Sequence, residues 1–198
     1  MRKQIITTDR IENILSGKDG SYLVNDGYYG SQTEILIKNC EFGFFNSSNK
    51  IDIPYGLVFE DCNFMQPFTL NAISNKSIRF TNSCYFNEIL FLKLTCVSLS
   101  FEDLVVDVFV SFESDCKIEN VYCKSSKKTN LQINGGEFRS FFISGNYRSI
   151  RLDGGKFDNE LSISNANIKY LELVNVEKLN KLLTSEDVFI EKLSFLAT

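Results

Sequence analysis

The chain has 198 residues, a formal net charge of −4, 43% hydrophobic residues, 18 phenylalanines and neither tryptophan nor histidine. This length and apolar content suit one domain with a sizeable core and exclude a disordered chain. The mild acidity gives no basic field for a nucleic-acid backbone, so direct nucleic-acid binding is not expected. The missing histidine removes the commonest general base and zinc ligand, and no catalytic residue, cofactor or metal site is assigned.

At the N-terminus no apolar run approaches membrane-spanning length, and the residues after Met1 do not read as a signal peptide. The expectation is a cytoplasmic location without membrane contact, where the six cysteines need not pair. Residues 1–34 read as a cap and connecting loop. Thr8-Asp9 ahead of Arg10 to Ser16, with Gly17 behind, predicts a short helix. Tyr22, Tyr28 and Tyr29 follow among glycines, in a loop or hairpin, as candidate partner contacts.

Residues 35–176 repeat. Ile35-Leu36-Ile37-Lys38-Asn39-Cys40-Glu41-Phe42 aligns with Leu57-Val58-Phe59-Glu60-Asp61-Cys62-Asn63-Phe64 and, with one extra residue, with 78–86. Two apolar residues flanking one polar residue is strand periodicity. A polar or glycine residue after each short strand lets the chain turn a corner. A small residue two before each Phe leaves room for the ring. Cys40, Cys62 and Cys84 are 22 residues apart and fall in one column. They read as small corner residues equivalent to Gly136 and Gly155; the alternative is a thiol ladder for a soft metal. Asn39, Asp61, Asn82, Asp103 and Asn175 read as a turn-capping polar column. Its alternative is a cation or sugar site at Asp61 and Asp103.

The register falters over 102–130, because Phe101 and Ile133 are 32 residues apart, neither one turn nor two. An irregular insertion is expected there. Lys124-Ser125-Ser126-Lys127-Lys128-Thr129-Asn130 reads as a polar loop leaving the coil, with Lys124, Lys127 and Lys128 as a basic contact for an acidic partner.

Beyond this segment, core-type pairs recur at Leu131/Ile133, Gly136/Phe138, Phe141/Ile143, Gly145/Tyr147, Ile150/Leu152, Gly155/Phe157, Leu161/Ile163, Ala166/Ile168 and Leu171/Leu173, at a mean step of five residues. Every fourth pair looks alike. The triplets Cys40-Glu41-Phe42, Cys62-Asn63-Phe64, Gly136-Glu137-Phe138, Gly155-Lys156-Phe157 and Ala166-Asn167-Ile168 resemble those of the pentapeptide-repeat family. The resemblance covers roughly 35–175 and is degenerate. It implies an all-β fold: a right-handed, roughly quadrilateral parallel β-helix of about 20 residues per rung. Function does not carry over in the same way, because the family is functionally diverse; some members mimic DNA and bind bacterial topoisomerases.

One outward column reads Lys38, Glu60, Thr81, Glu102, then Glu119, Asn134 and Asp153; its neighbour reads Leu36, Val58, Arg79, Ser100, then Lys117, Gln132 and Arg151. Such mixed charge suits a self-paired solvated face, with Glu60 and Glu102 as candidate acidic contacts. Residues 177–198 form a cap or a last rung, with a short helix as the alternative over Glu177 to Leu183. The apolar Val188, Phe189, Ile190, Phe195 and Leu196 either cover the core or form a homodimer interface.

The expected function is non-catalytic protein–protein binding, in its narrower form as an inhibitor or modulator of a bacterial nucleic-acid-handling or defence target. The competing expectations are a carbohydrate-binding or carbohydrate-active β-helix and a self-assembling scaffold.

Overall fold

The computed structural model describes residues 3–25, 32–47, 49–82 and 84–196. It is a parallel β-solenoid of about eight turns, about 21 residues each, with one short helix. Four strand segments make each turn and stack in register on their counterparts one turn away. On face 1, Ile35, Leu57, Ile78, Leu99 and Val121 lie in one column. Face 2 carries Phe42, Phe64, Phe86 and Val106. Face 3 stacks Phe45, Phe68, Ile89 and Val110, and later Ile150, Leu171 and Leu193. Face 4 stacks Asp52, Ile73, Thr95 and Lys117, and later Glu137, Lys156 and Lys178.

The two inward residues of each segment fill the bore. In the first half nine of these are phenylalanines (Phe42, Phe45, Phe59, Phe64, Phe68, Phe80, Phe86, Phe91 and Phe101), and the register stacks most of them into ladders. Phe42, Phe64 and Phe86 lie nearly parallel at 4.6 Å on face 2; Phe59, Phe80 and Phe101 do so at 4.9 Å on face 1. The ladders meet edge to face, as in Phe59–Phe64 at 5.4 Å and Phe80–Phe86 at 5.2 Å. That arrangement suits the ring quadrupoles. Face 4 compensates with smaller inward residues, Ala72/Ser74 and Leu94/Cys96.

The corners are left-handed backbone. Asn39, Asp61 and Asn82 have φ of 54°, 50° and 52° between faces 1 and 2, a conformation that Asn and Asp tolerate. Asn175 belongs to a different corner, between faces 3 and 4, beside the position of Gly154. The polar column therefore divides between two edges of the solenoid.

The expected irregular insertion at 102–130 is absent. Phe101 pairs with Cys123, so residues 102–123 complete one ordinary turn. Ile133 belongs not to the Phe101 column but to face 3, half a turn away, with Leu152 and Leu173. The small-x-Phe triplets had suggested otherwise. Cys40, Cys62 and Cys84 precede the rings of face 2, whereas Gly136 and Gly155 precede those of face 4. Cysteine and glycine are thus not equivalent corner residues. At Gly136, φ is +94° and an added Cβ would lie 3.0 Å from the Phe138 ring. Lys124 to Asn130 do not leave the coil either. Ser125 and Thr129 are buried, and Ser125 Oγ sits 2.8 Å from the Leu104 carbonyl and 3.0 Å from Thr129 Oγ1.

The two ends differ. At the first, the helix Thr8–Leu15 buries Ile11, Ile14 and Leu15 over the bore, and Gly17 ends it with φ +72°. Gln4–Ile6 adds in parallel to face 2, while Leu23–Val24 pairs antiparallel with Glu34–Lys38 and covers that edge of face 1. At the other end, residues 178–196 form a further rung rather than a helix: Leu182 stacks on Leu161, Val188 on Ala166 and Phe195 on Leu173.

Truncating Phe64→Ala removes the middle ring of a ladder and is expected to cost about 3–5 kcal/mol in urea unfolding. Gly145→Ala places a Cβ 1.9 Å from the Ser125 carbonyl oxygen and is expected to abolish the cooperative unfolding transition. Gly43→Ala, with nothing within 4 Å, is expected to leave it in place.

Candidate functional site

The outward residues of each strand segment form columns whose neighbours are one rung apart, so charge pairing runs along the axis. Lys38 meets Glu60 at 2.6 Å, Lys93 meets Asp115 at 3.0 Å, Lys117 meets Glu137 at 2.9 Å and Lys156 meets Glu177 at 3.1 Å. Arg79 pairs with Glu102, and Arg151 donates to both Glu172 and Asp153. Acids and bases are therefore interleaved rather than gathered into a stripe of one sign, although Lys156 and Lys178 adjoin in the face 4 column.

The expected contact residues disperse over this surface. Glu60 is nearly buried under Lys38. Glu102 is exposed, and Lys124 follows it one rung along face 1. Lys127 and Lys128 stand exposed at the next corner. Tyr22 is half-buried beneath the Arg10 guanidinium, 5.3 Å from its centroid, and belongs to the cap. Tyr28 and Tyr29 lie outside the described residues. The Asp61 carboxylate and carbonyl both accept from Lys3, at 2.9 and 2.7 Å, and Asp103 accepts from the Ser126 amide at 3.2 Å. Both aspartates thus serve the turns between rungs.

The apolar C-terminal residues do gather. Val188 and Ile190 point toward the bore and are half-buried, whereas Phe195 is 69% exposed, Phe189 62% and Leu193 50%. Leu182, Leu183 and Leu196 are exposed beside them.

A second surface was missed by the sequence reading. The outward column of face 1 continues from Ser100 to Tyr122, not to Lys117, and then to Phe142 and Ser162. Tyr122 and Phe142 stack one rung apart, centroids 4.8 Å and planes 6° apart, with Tyr122 45% exposed. A shallow depression of about 420 Å³ surrounds the pair, lined also by Arg79, Glu102, Lys124 and the serines 98, 100 and 144. The signal that could have found it is the 22-residue step from Leu99/Phe101 to Val121/Cys123. Cys123 stands where a large ring was expected, which hid the continuation.

The cysteines are all free and buried. The Cys62 and Cys84 thiols reach the Ile37 and Phe59 carbonyls at 3.3 and 3.4 Å, and Cys116 reaches the Phe91 carbonyl at 3.2 Å. Burial pushes the Cys116 thiol up to about 11 and raises those of Cys96 and Cys123 further. Such groups are poor nucleophiles and ligands at neutral pH.

Comparison with known proteins finds no matching family model, no matching curated protein and no matching solved structure. Among the described residues, no helix is long and apolar enough to cross a membrane. The class that the fold defines is therefore a parallel β-solenoid whose outward surfaces are candidates for contact.

Because the raised thiols stay protonated in the folded chain while those of the unfolded chain ionise, their contribution is complete below about pH 9 and is lost as pH rises. Unfolding free energy is expected to fall above pH 9 by about 1.4 kcal/mol per pH unit for each such thiol. The Cys96/Cys116/Cys123→Ala triple variant is expected to flatten that slope, and thiol titration of the native chain at pH 8 is expected to label these positions only after urea is added.

Proposed function

We propose that this chain is a non-catalytic binding protein that acts through protein–protein contact, and that a second copy of the chain is the partner of its last rung. The observation that carries the reading is the Val188–Leu196 strand, which pairs on one side with Lys156–Val174 and presents Phe189, Leu193 and Phe195 to solvent. Exposed apolar clusters are costly to leave wet, and a strand edge that pairs with nothing among the described residues supplies backbone donors and acceptors beside them.

The second copy is favoured by the asymmetry of the two ends. Head-to-tail stacking would lay the last rung of one molecule on the first rung of another. There Leu23–Val24 already pairs antiparallel with Glu34–Lys38, and the helix covers the bore. Open-ended growth is therefore hindered, whereas two last rungs can meet about a two-fold axis and close. The charge on that rung is mixed, with Lys181, Lys192, Glu186 and Glu191 all exposed, so two copies facing each other can offset one another's charge. Inhibition by nucleic-acid mimicry is not part of the proposal, because acids along the faces are interleaved with bases.

Sedimentation equilibrium is expected to give a closed dimer at tens of micromolar, reverting to monomer in the Phe189→Asp/Phe195→Asp variant with its circular dichroism unchanged. A wild-type chain that remains monomeric to about 100 µM, roughly the affinity of a very weak contact, overturns the proposal.

A further inference from the structure

The corner between faces 2 and 3 gathers positive charge in the later rungs. Asn146 donates to the Ser126 carbonyl and Ser149 to the Asn130 side chain, which sets Lys127 and Lys128 one rung from Arg148. Tyr147 pairs with Ile168 and Ser149 with Tyr170, so Lys169 lies beside Arg148 one rung further on. Lys169 and Lys192 both lie over the Tyr170 ring, at 5.0 and 5.4 Å, a contact that holds them without neutralising them. Lys117 and Lys156 meet carboxylates one rung away. Among the described residues, by contrast, no carboxylate lies within ion-pair distance of Lys127, Lys128, Arg148, Lys169 or Lys192. On a chain of net charge −4 these five form a local basic ridge. The columns beside it are neutral: Ser126, Asn146 and Asn167 on face 2, Asn130 and Ser149 on face 3. Its ends are marked by Asp107, which accepts from the Tyr85 hydroxyl, and by Glu191 beside Lys192.

We propose that this ridge is a docking site for a short acidic peptide segment of a partner protein, laid along the solenoid axis. The unbalanced cations call for an anion, and the neutral flanks decide which kind. Asn146 commits its amide N–H to Ser126, which leaves its carbonyl oxygen as an acceptor. Asn167 is exposed, and among the described residues neither its donor nor its acceptor has a partner. Phosphate and sulfate chains bring acceptors only and leave those oxygens unmatched. A peptide brings carboxylates for the ridge and a backbone N–H with nearly every residue for the asparagines. Length fits as well. From Lys128 to Lys192 the ridge covers three rung steps, about 14 Å, the length of about four extended residues. This contact shares protein–protein chemistry with the last rung but lies along the side of the coil, so each contact can fail without the other.

Isothermal titration calorimetry on the full chain at 50 mM salt tests this. The probe is an acetylated, amidated peptide with four consecutive glutamates between glycine–serine flanks. Its Kd is expected to be about 100 µM and to weaken several-fold at 300 mM salt, as exposed ion pairs are screened. The Lys128→Glu/Arg148→Glu variant is expected to weaken binding ten-fold or more. Lys18→Glu/Lys50→Glu makes the same change of net charge on exposed lysines at the capped end and is expected to bind as the wild type does. The same peptide N-methylated at its glutamates keeps every carboxylate but loses those N–H donors, and is expected to bind at least three-fold more weakly. Both protein variants change only surface side chains, and unchanged strand circular dichroism checks their folding. Sedimentation of the Lys128→Glu/Arg148→Glu variant is expected to match the wild type, so loss of peptide binding and loss of the last-rung dimer are read separately. No binding of the peptide, or equal weakening in the two charge-reversal variants, overturns the site. Undiminished binding of the N-methylated peptide, or tighter binding of tripolyphosphate or a twelve-residue oligothymidylate than of the peptide, overturns the occupant.

Discussion

Every turn of this molecule must close a ring of backbone around a bore that side chains alone can fill. Hydrogen bonds between rungs fix the axial spacing, so each rung has the same height and nearly the same interior volume to fill at native packing density. That constraint explains how large and small residues are distributed. Where faces 1 and 2 carry rings inward, face 4 carries Ala72, Ser74 and Cys96. Where face 4 carries Phe138 and Phe157, the small face 2 position holds Gly145 and Ala166 beside the buried Tyr147 and Ile168.

The same spacing governs the exterior. Residues one rung apart are close enough for ion pairs and ring stacking, so outward side chains interact along the axis more than along the strand. This gives the interleaved charge of the columns and the Tyr122–Phe142 pair. The capped end and the exposed last rung follow from the problem that every stacked sheet must solve, which is how to terminate a ladder of unpaired backbone groups. At the first rung the chain solves it with an antiparallel strand and a helix; the last described rung presents its edge and its apolar side chains together.

Much of the fold was legible before any coordinates. The spacing of Cys40, Cys62 and Cys84 placed three turns correctly, and Thr8 to Gly17 placed the helical cap within two residues of its bounds. Leu193-Ser194-Phe195, 22 residues after Leu171-Glu172-Leu173, marked the last rung. The misreading lay at 102–130, for a physical reason. A small residue followed by a ring makes a good corner on any face, so Cys62-Asn63-Phe64 and Gly136-Glu137-Phe138 look alike in sequence while lying half a turn apart. Aligning them forced an insertion that does not exist, moved Lys117 into the place of Tyr122 and turned Lys124 to Asn130 into a loop.

By itself, then, the sequence determined the strand–corner rhythm, the length of a turn and the chemistry of the corners, because these are set by local backbone preferences and alternation of burial. Only the tertiary structure decided which repeats share a column. Local rules are identical on all faces, and the choice among them rests on whether neighbouring rungs together fill the bore. That choice places Tyr122 on Phe142, beside the expected contact Lys124, and collects Phe189, Leu193 and Phe195 on the end where the sequence had already put a candidate interface.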